Sequence, residues 1–263
     1  NCPVFVCLSS GYDSGAICNA LNIIGKEYYT YTIIADENMD IVNKRISIGK
    51  EGKHLLESNI MNIGINEFIK FKTKLINETE KFQYHTHGKN MVVTDDNASV
   101  GMAKICNMAS VTGRRIYLSG QGADEITSDY GFGGHKIYHH SSFGGKYPDK
   151  LEDILGNCDP ADMNQQVWKS FYYGTQQDYL GKEETVSGKY GIEGRYPFLD
   201  CELVQEFLSL DVNLKNQIYK APLHYFMRVT KYPFDVGNKI GFTVGSRFEN
   251  NTKIKDIDNY NSM

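Results

Sequence analysis

Hydrophobic and polar positions fall into alternating blocks along the first half of the chain. Pro3–Leu8 is a short apolar run rich in β-formers, and Ser9, Ser10 and Gly11 break it, which predicts a buried strand. From Asp13 onward Ile17, Leu21 and Ile24 recur at spacings of four and three, predicting a helix that Gly25 stops. Tyr28–Ala35 reads as a second strand, followed by a polar loop with Asp36, Asn38 and Asp40. Residues 41–62 read as a helix interrupted by Gly49 and Gly52, and Phe68–Phe71 as a short third strand. Residues 72–96 are polar and mixed, with Tyr84–Gly88 read as a loop. Asp96 or Asn97 can cap a helix striped by Ala98, Met102, Ile105, Cys106 and Ala109, and Arg115–Ser119 reads as a fourth strand. Strand and helix alternate with crossovers long enough for parallel pairing. The expected class is therefore α/β: a doubly wound parallel sheet with helices on both faces.

The second half is less regular. Residues 126–162 are rich in Gly, His, Tyr and Ser and read as a lid. Residues 163–187 are polar with a helical stripe (Val167, Phe171), and Gly191–Asp200 reads as a turn that Pro197 keeps non-helical. Cys201–Leu208 and the segment opened by Lys220 read as helices, giving a helical C-terminal part. We expect one domain over residues 1–245 and a polar, fraying tail over 246–263.

Composition narrows the class of function. A net charge of −4 and no Lys/Arg run give no field for nucleic acid. No apolar stretch is long enough for a bilayer, so no membrane partner is expected, and no signal peptide opens the chain. The six cysteines, at 2, 7, 18, 106, 158 and 201, form no Cys-x-x-Cys pair, which points to reduced thiols in a cytoplasmic setting. His85/His87 and His139/His140 lack cysteines at ligand spacing and read as solvated loop residues. The chain begins with Asn and enters a strand almost at once, so it reads as cut from a longer protein.

Two strand ends carry candidate chemistry, where ligands of such sheets bind. Residues 9–14 join a strand to a helix N-terminus. That geometry offers backbone N–H groups and a positive helix end to an anion, with hydroxyls at Ser9, Ser10 and Ser14. Asp13 would repel a bare phosphate. It makes sense if Mg²⁺ sits between the two, the plainer alternative being that Asp13 only caps the helix. Leu118–Glu125 (Leu-Ser-Gly-Gln-Gly-Ala-Asp-Glu) is the second loop, and Asp13 with Asp124 makes a Mg²⁺ site facing a polyphosphate.

The first loop lacks the Lys-Ser/Thr ending of a Walker A loop. It resembles the Ser-Gly-Gly-x-Asp-Ser loop of ATP pyrophosphatases, with Ser10 in place of the first glycine. Ser9–Ser14, Leu118–Glu125, Glu193–Asp200 and Lys239–Phe242 together resemble, in order, the synthetase-domain motifs of class B asparagine synthetases, β-lactam synthetases and lasso-peptide cyclases. The resemblance covers residues 3–245 and implies an ATP-dependent carbon–nitrogen ligase. A carboxylate substrate attacks the α-phosphorus of ATP·Mg²⁺, pyrophosphate leaves, and ammonia or another amine converts the acyl-adenylate to an amide and AMP. It implies that Ser9, Gly11, Asp13 and Ser14, with Ser10 beside them, hold pyrophosphate and metal, that Asp124 is the second metal ligand, and that Leu8, Ile33, Ser119 and Gly120 line the adenosine site. Lys239 would neutralise charge on the phosphates and on the tetrahedral intermediate. Glu184 and Glu193 could orient neighbours or pair with Arg195, and a structural role suits Glu193.

The departures bear on substrate. Cys2 directly precedes the first strand and is not the N-terminal nucleophile of a glutaminase domain, so such a domain is expected upstream in the natural protein or the amine comes from elsewhere. Gln121 stands where asparagine synthetases commonly carry Glu and β-lactam synthetases Tyr. An amide does not ionise, so Gln121 is expected to position the amine and not to deprotonate it. Conversion of aspartate to asparagine is the leading expectation. An intramolecular cyclase, a tailoring amidotransferase on another carboxylate, and a catalytically dead nucleotide-binding scaffold are the alternatives.

Overall fold

The computed structural model describes residues 2–86, 89–93, 96–127, 175–215 and 217–235. In chain order the elements are β1 (Val4–Cys7), α1 (Tyr12–Ile23), β2 (Tyr28–Ile33), α2 (Met39–Glu51), β3 (Leu55–Met61), α3 (Ile65–Glu78), β4 (Gln83–Thr86), β5 (Lys89–Val92), α4 (Asn97–Val111), β6 (Ile116–Leu118) and α5 (Ala123–Thr127). After the undescribed stretch come α6 (Thr175–Lys189), β7 (Glu193–Arg195), a 3₁₀ turn (Pro197–Leu199), α7 (Cys201–Ser209), α8 (Val212–Lys215) and α9 (Ala221–Val229).

Five strands form one sheet in the order β3-β2-β1-β6-β7, and every pair is parallel. Successive β1 side chains point to opposite faces. Phe5 enters a core with Tyr31 of β2 and with Phe68, Leu75, Val100 and Val186, which α3, α4 and α6 supply. Its ring stacks on Tyr117 and meets Tyr31 edge-on, both at 5.3 Å between centroids. Val6 enters the opposite core with Ile17, Val42, Ile46 and Met227 from α1, α2 and α9. This is the α/β sheet with helices on both faces that the alternating pattern predicts. Among the described residues no helix is long and apolar enough to cross a membrane.

Four local expectations are corrected. The helix read over 41–62 ends at Glu51, where Gly52 and the left-handed Lys53 (φ 61°) turn the chain into the edge strand β3. Leu55 and Met61 are buried there while Leu56 and Ile60 are exposed, so the segment shows neither strict alternation nor a continuous apolar run. Phe68–Phe71 is not a strand but the middle of α3. Phe68, Phe71 and Leu75 are its buried residues, and their spacing of three and four is helical. Tyr84–Gly88 falls partly in an antiparallel hairpin, β4 with β5, in which Tyr84 pairs with Met91. Glu193–Arg195, expected in a turn, is the fifth strand of the sheet, parallel to β6.

Strand order reverses between β1 and β6, because the chain winds from β1 to β3 on one side and reaches β6 and β7 on the other. Such a reversal opens a crevice beyond the carboxyl ends of the two central strands. The loops 8–11 and 119–122 leave the sheet at that point.

Candidate functional site

A cavity of about 430 Å³ opens in this crevice. At one end stand Ser9, Gly11, Asp13, Ser14, Asp124 and Lys220. The two strand-end loops touch: a Cβ added to Gly120 would lie 2.9 Å from the Asp13 Cβ. Gly122 turns the second loop at φ +94°, a conformation that side-chain-bearing residues rarely adopt. That turn sends Asp124 back into the cavity from the first turn of α5.

Lys220 is the residue that sequence reading passed over. It precedes α9 in a left-handed conformation (φ 46°), and its side chain is 2% exposed. Its Nζ lies 2.5 Å from Asp13 Oδ1 and 2.5 Å from Asp124 Oδ1. Two carboxylates from different loops thus converge on one cationic point, their oxygens at most 5.0 Å apart by those two contacts. Mg²⁺ binds through one or two carboxylates plus phosphate oxygens and water, so the donor set suits it once the ammonium yields the central position. Among the described residues no cluster of three acidic, His or Cys side chains forms a self-sufficient metal cage.

The loop before α1 is held from within. Ser9 N–H donates to Ser14 Oγ (3.0 Å), Gly11 N–H to Ser9 Oγ (3.1 Å), and the Ser9 and Ser14 hydroxyls are 2.8 Å apart. Ser10, where the related loops carry Gly, donates both its N–H and its hydroxyl to Glu37 Oε2 at 2.6 Å each. The expectation of open loop N–H groups is therefore corrected for residues 9–11. Gly11 gives α1 no side-chain cap, which leaves the helix end to an anion.

The other end of the cavity is mixed. Ala98, Met102, Ile105 and Tyr179 line it, with Asp96 and Lys182. Lys182 Nζ is 2.5 Å from Asp96 Oδ2 and 4.6 Å from the centre of the Tyr179 ring. Between the two ends lies Glu183 of α6, which accepts a 2.6 Å hydrogen bond from the Ser119 hydroxyl. Burial pushes its carboxyl up to about 7, against the lowering effects of Ser119, Lys182 and Gln121. Cys7 also lines the cavity, but burial pushes its thiol up to about 12, so it stays protonated and is no nucleophile.

A raised carboxyl pKa has a defined effect on stability. Glu183 ionises near 4.5 in the unfolded chain and near 7 in the fold, so between those values the native state holds the extra proton. Raising pH through that window therefore destabilises the fold, by up to about 3 kcal/mol at 1.36 kcal/mol per unit. We expect Glu183→Gln to lose less stability than the wild type between pH 5 and pH 8 in urea unfolding. Equal losses would place the ionisable group elsewhere.

The profile of the family described as asparagine synthase matches residues 1–234. The chain belongs to the asparagine synthase family. Asparagine synthetase (glutamine-hydrolysing) of Sandersonia aurantiaca is 26% identical over 223 residues, which cover 81% of this chain and 36% of the relative. Asparagine synthetase 3 of Arabidopsis thaliana is 29% identical over 140 residues, covering 53% of this chain and 20% of the relative. The chain thus spans about a third or less of the length of these relatives. In solved structures, NMN synthetase from Francisella tularensis aligns with 90% of both chains at 12% identity and a TM-score of 0.32.

Several of the residues expected at the site meet in the cavity: Ser9, Gly11, Asp13, Ser14, Ser119, Gly120, Gln121 and Asp124 line it, with Ser10 just behind. Leu8 and Ile33 are buried in the two cores, 3% and 2% exposed. Glu193 pairs with Arg195 at the surface, and Glu184 accepts a 2.6 Å bond from the Tyr196 hydroxyl. Lys239, the lid read over 126–162 beyond Thr127, and the tail lie outside the described residues. Glu183, Lys220 and the Asp96–Lys182 pair were not found from sequence. Only Glu183 has a signal, helical spacing: Glu183, Val186 and Ser187 form a buried stripe on a polar helix.

Proposed function

We propose that this domain forms amides through an acyl-adenylate, with ATP·Mg²⁺, a small carboxylic acid and a free amine as substrates and aspartate as the leading acid. The observation that carries this reading is one cavity with two chemically distinct parts. Asp13, Asp124, Lys220 and the Ser9–Ser14 loop form a polyphosphate end, and a buried carboxylate with a pKa of about 7 stands beside Gln121.

The substrate carboxylate attacks the α-phosphorus, and pyrophosphate departs onto the loop and the α1 N-terminus. Asp13 and Asp124 would hold Mg²⁺, which would supply charge neutralisation on the phosphates. Lys220 can turn from the carboxylates toward phosphate oxygens as these arrive. Gln121 orients the amine. Attack on the acyl carbon makes the nitrogen cationic and strongly acidic, so a carboxylate titrating near 7 can remove its proton. That task falls to Glu183, with Ser119 fixing its carboxylate. Lys239 is assigned the charge on the phosphates and the tetrahedral intermediate by motif. The Asp96–Lys182 pair offers both signs of charge to the head group of an amino acid.

Acid-dependent exchange of labelled pyrophosphate into ATP tests the reading. Exchange should require Mg²⁺ and be fastest with aspartate among amino-acid and peptide carboxylates. Stronger exchange with a peptide acid would favour the cyclase alternative. No exchange with any acid, from a chain that binds ATP·Mg²⁺, would favour the scaffold alternative.

A further inference from the structure

Arg45 of α2 is the largest fully buried side chain among the described residues, 1% exposed, and lies behind the loop rather than in the cavity. Its Nη1 donates to the carbonyls of Ser9 (2.6 Å) and Gly11 (2.8 Å), and its Nε donates to the carbonyl of Pro233 (2.9 Å). The Tyr232 ring centre is 5.6 Å away. A Cβ on Gly15 would lie 2.5 Å from the guanidinium carbon, so the first turn of α1 passes directly over the charge. None of the ion pairs among the described residues involves Arg45. Burying a cation without a paired carboxylate is unfavourable, and burial pulls this guanidinium below its ordinary pKa. Arginine nevertheless stays charged.

We infer that Arg45 is a positioning residue for pyrophosphate. It draws the Ser9 and Gly11 carbonyls away from the ligand and sets a positive charge beneath the loop that receives the leaving group. Turning two carbonyl dipoles toward Arg45 removes their negative ends from the anion's side. The charge then adds to the positive end of α1, close to where pyrophosphate is expected. The Glu37 and Asp13 carboxylates attract this charge without forming an ion pair with it, and a bound anion would add to that countercharge. This rests on the pyrophosphate-binding reading of the loop given above.

Calorimetric titration of the whole chain with magnesium pyrophosphate and, separately, with AMP tests it, using Arg45→Met and Arg45→Lys. Arg45→Met should bind pyrophosphate about tenfold or more weakly, as expected for losing a little-screened charge near a polyanion, with AMP affinity unchanged. Arg45→Lys keeps the charge but not the forked grip, and its pyrophosphate affinity should fall between the two. A plain structural staple would lower both affinities together, or neither while lowering the unfolding midpoint, and either result overturns the inference. Should Arg45→Met not fold, Arg45→Lys decides: selective weakening for pyrophosphate supports the inference, and parallel or absent weakening overturns it. A wild-type chain that binds AMP but not pyrophosphate removes the ligase reading itself and the inference with it.

Discussion

Glu183→Gln should split the two half-reactions. Amide formation is expected to fall by about 10²–10⁴, the usual contribution of a positioned general base, while acid-dependent pyrophosphate exchange stays near the wild-type rate. The geometry gives the reason. Glu183 is bonded to Ser119 and interacts with Gln121, whereas Asp13 and Asp124 are both bonded to Lys220. Adenylation needs no proton removed by Glu183, because the attacking acid is already ionised. Gln fills the same volume and can still accept from Ser119, so the variant tests ionisation and not packing. The wild-type amidation rate at saturating free amine should rise through about pH 7, and the variant should lack that rise. Equal losses in both half-reactions would make Glu183 a structural support of the Ser119–Gly120 loop.

That assignment refines the reading of Gln121. An unionisable Gln at the strand end could position an amine but left no group to take its proton. The structure places Glu183 within interaction distance of Gln121, on a helix remote in sequence. The rest of the site divides in the same way. Asp13, Gln121 and Asp124 were legible because their glycine- and serine-rich loops interrupt strand patterns at the ends of central strands. Lys220 was not legible, because a lysine before a helix reads as solvated and only the docking of α9 on α1 buries it. Arg45 was hidden similarly: α2 reads as an ordinary surface helix until the loop carbonyls close on its guanidinium. In the fold, β1 was readable as a continuous apolar run and β2 as a run of aromatic and β-branched residues. The strand β3 was not, since among the described residues it has a neighbouring strand on one side only and its exposed Leu56 and Ile60 blur the pattern.

Lys220→Met should reduce pyrophosphate release by at least about a hundredfold, the scale of losing one preorganised electrostatic donor at developing charge. Its structural effect should depend on Mg²⁺, which separates the two roles of the residue. Without metal, Asp13 and Asp124 would each lose the Lys220 ammonium that they share. Stranding partly buried charges in that way costs up to about 3 kcal/mol, discounted here because the two side chains are 27% and 18% exposed. On the proposed metal site Mg²⁺ would bind where the ammonium sat, so it should raise the unfolding midpoint of Lys220→Met more than that of the wild type. Adding Asp124→Asn removes one of the stranded charges. The double variant should therefore recover stability without metal while remaining inactive. Recovery of both stability and pyrophosphate release would reduce Lys220 to a structural counterion. A Lys220→Met protein indifferent to Mg²⁺ would remove Asp13 and Asp124 as a joint metal site, since the Lys220 ammonium no longer stands in the metal's way there.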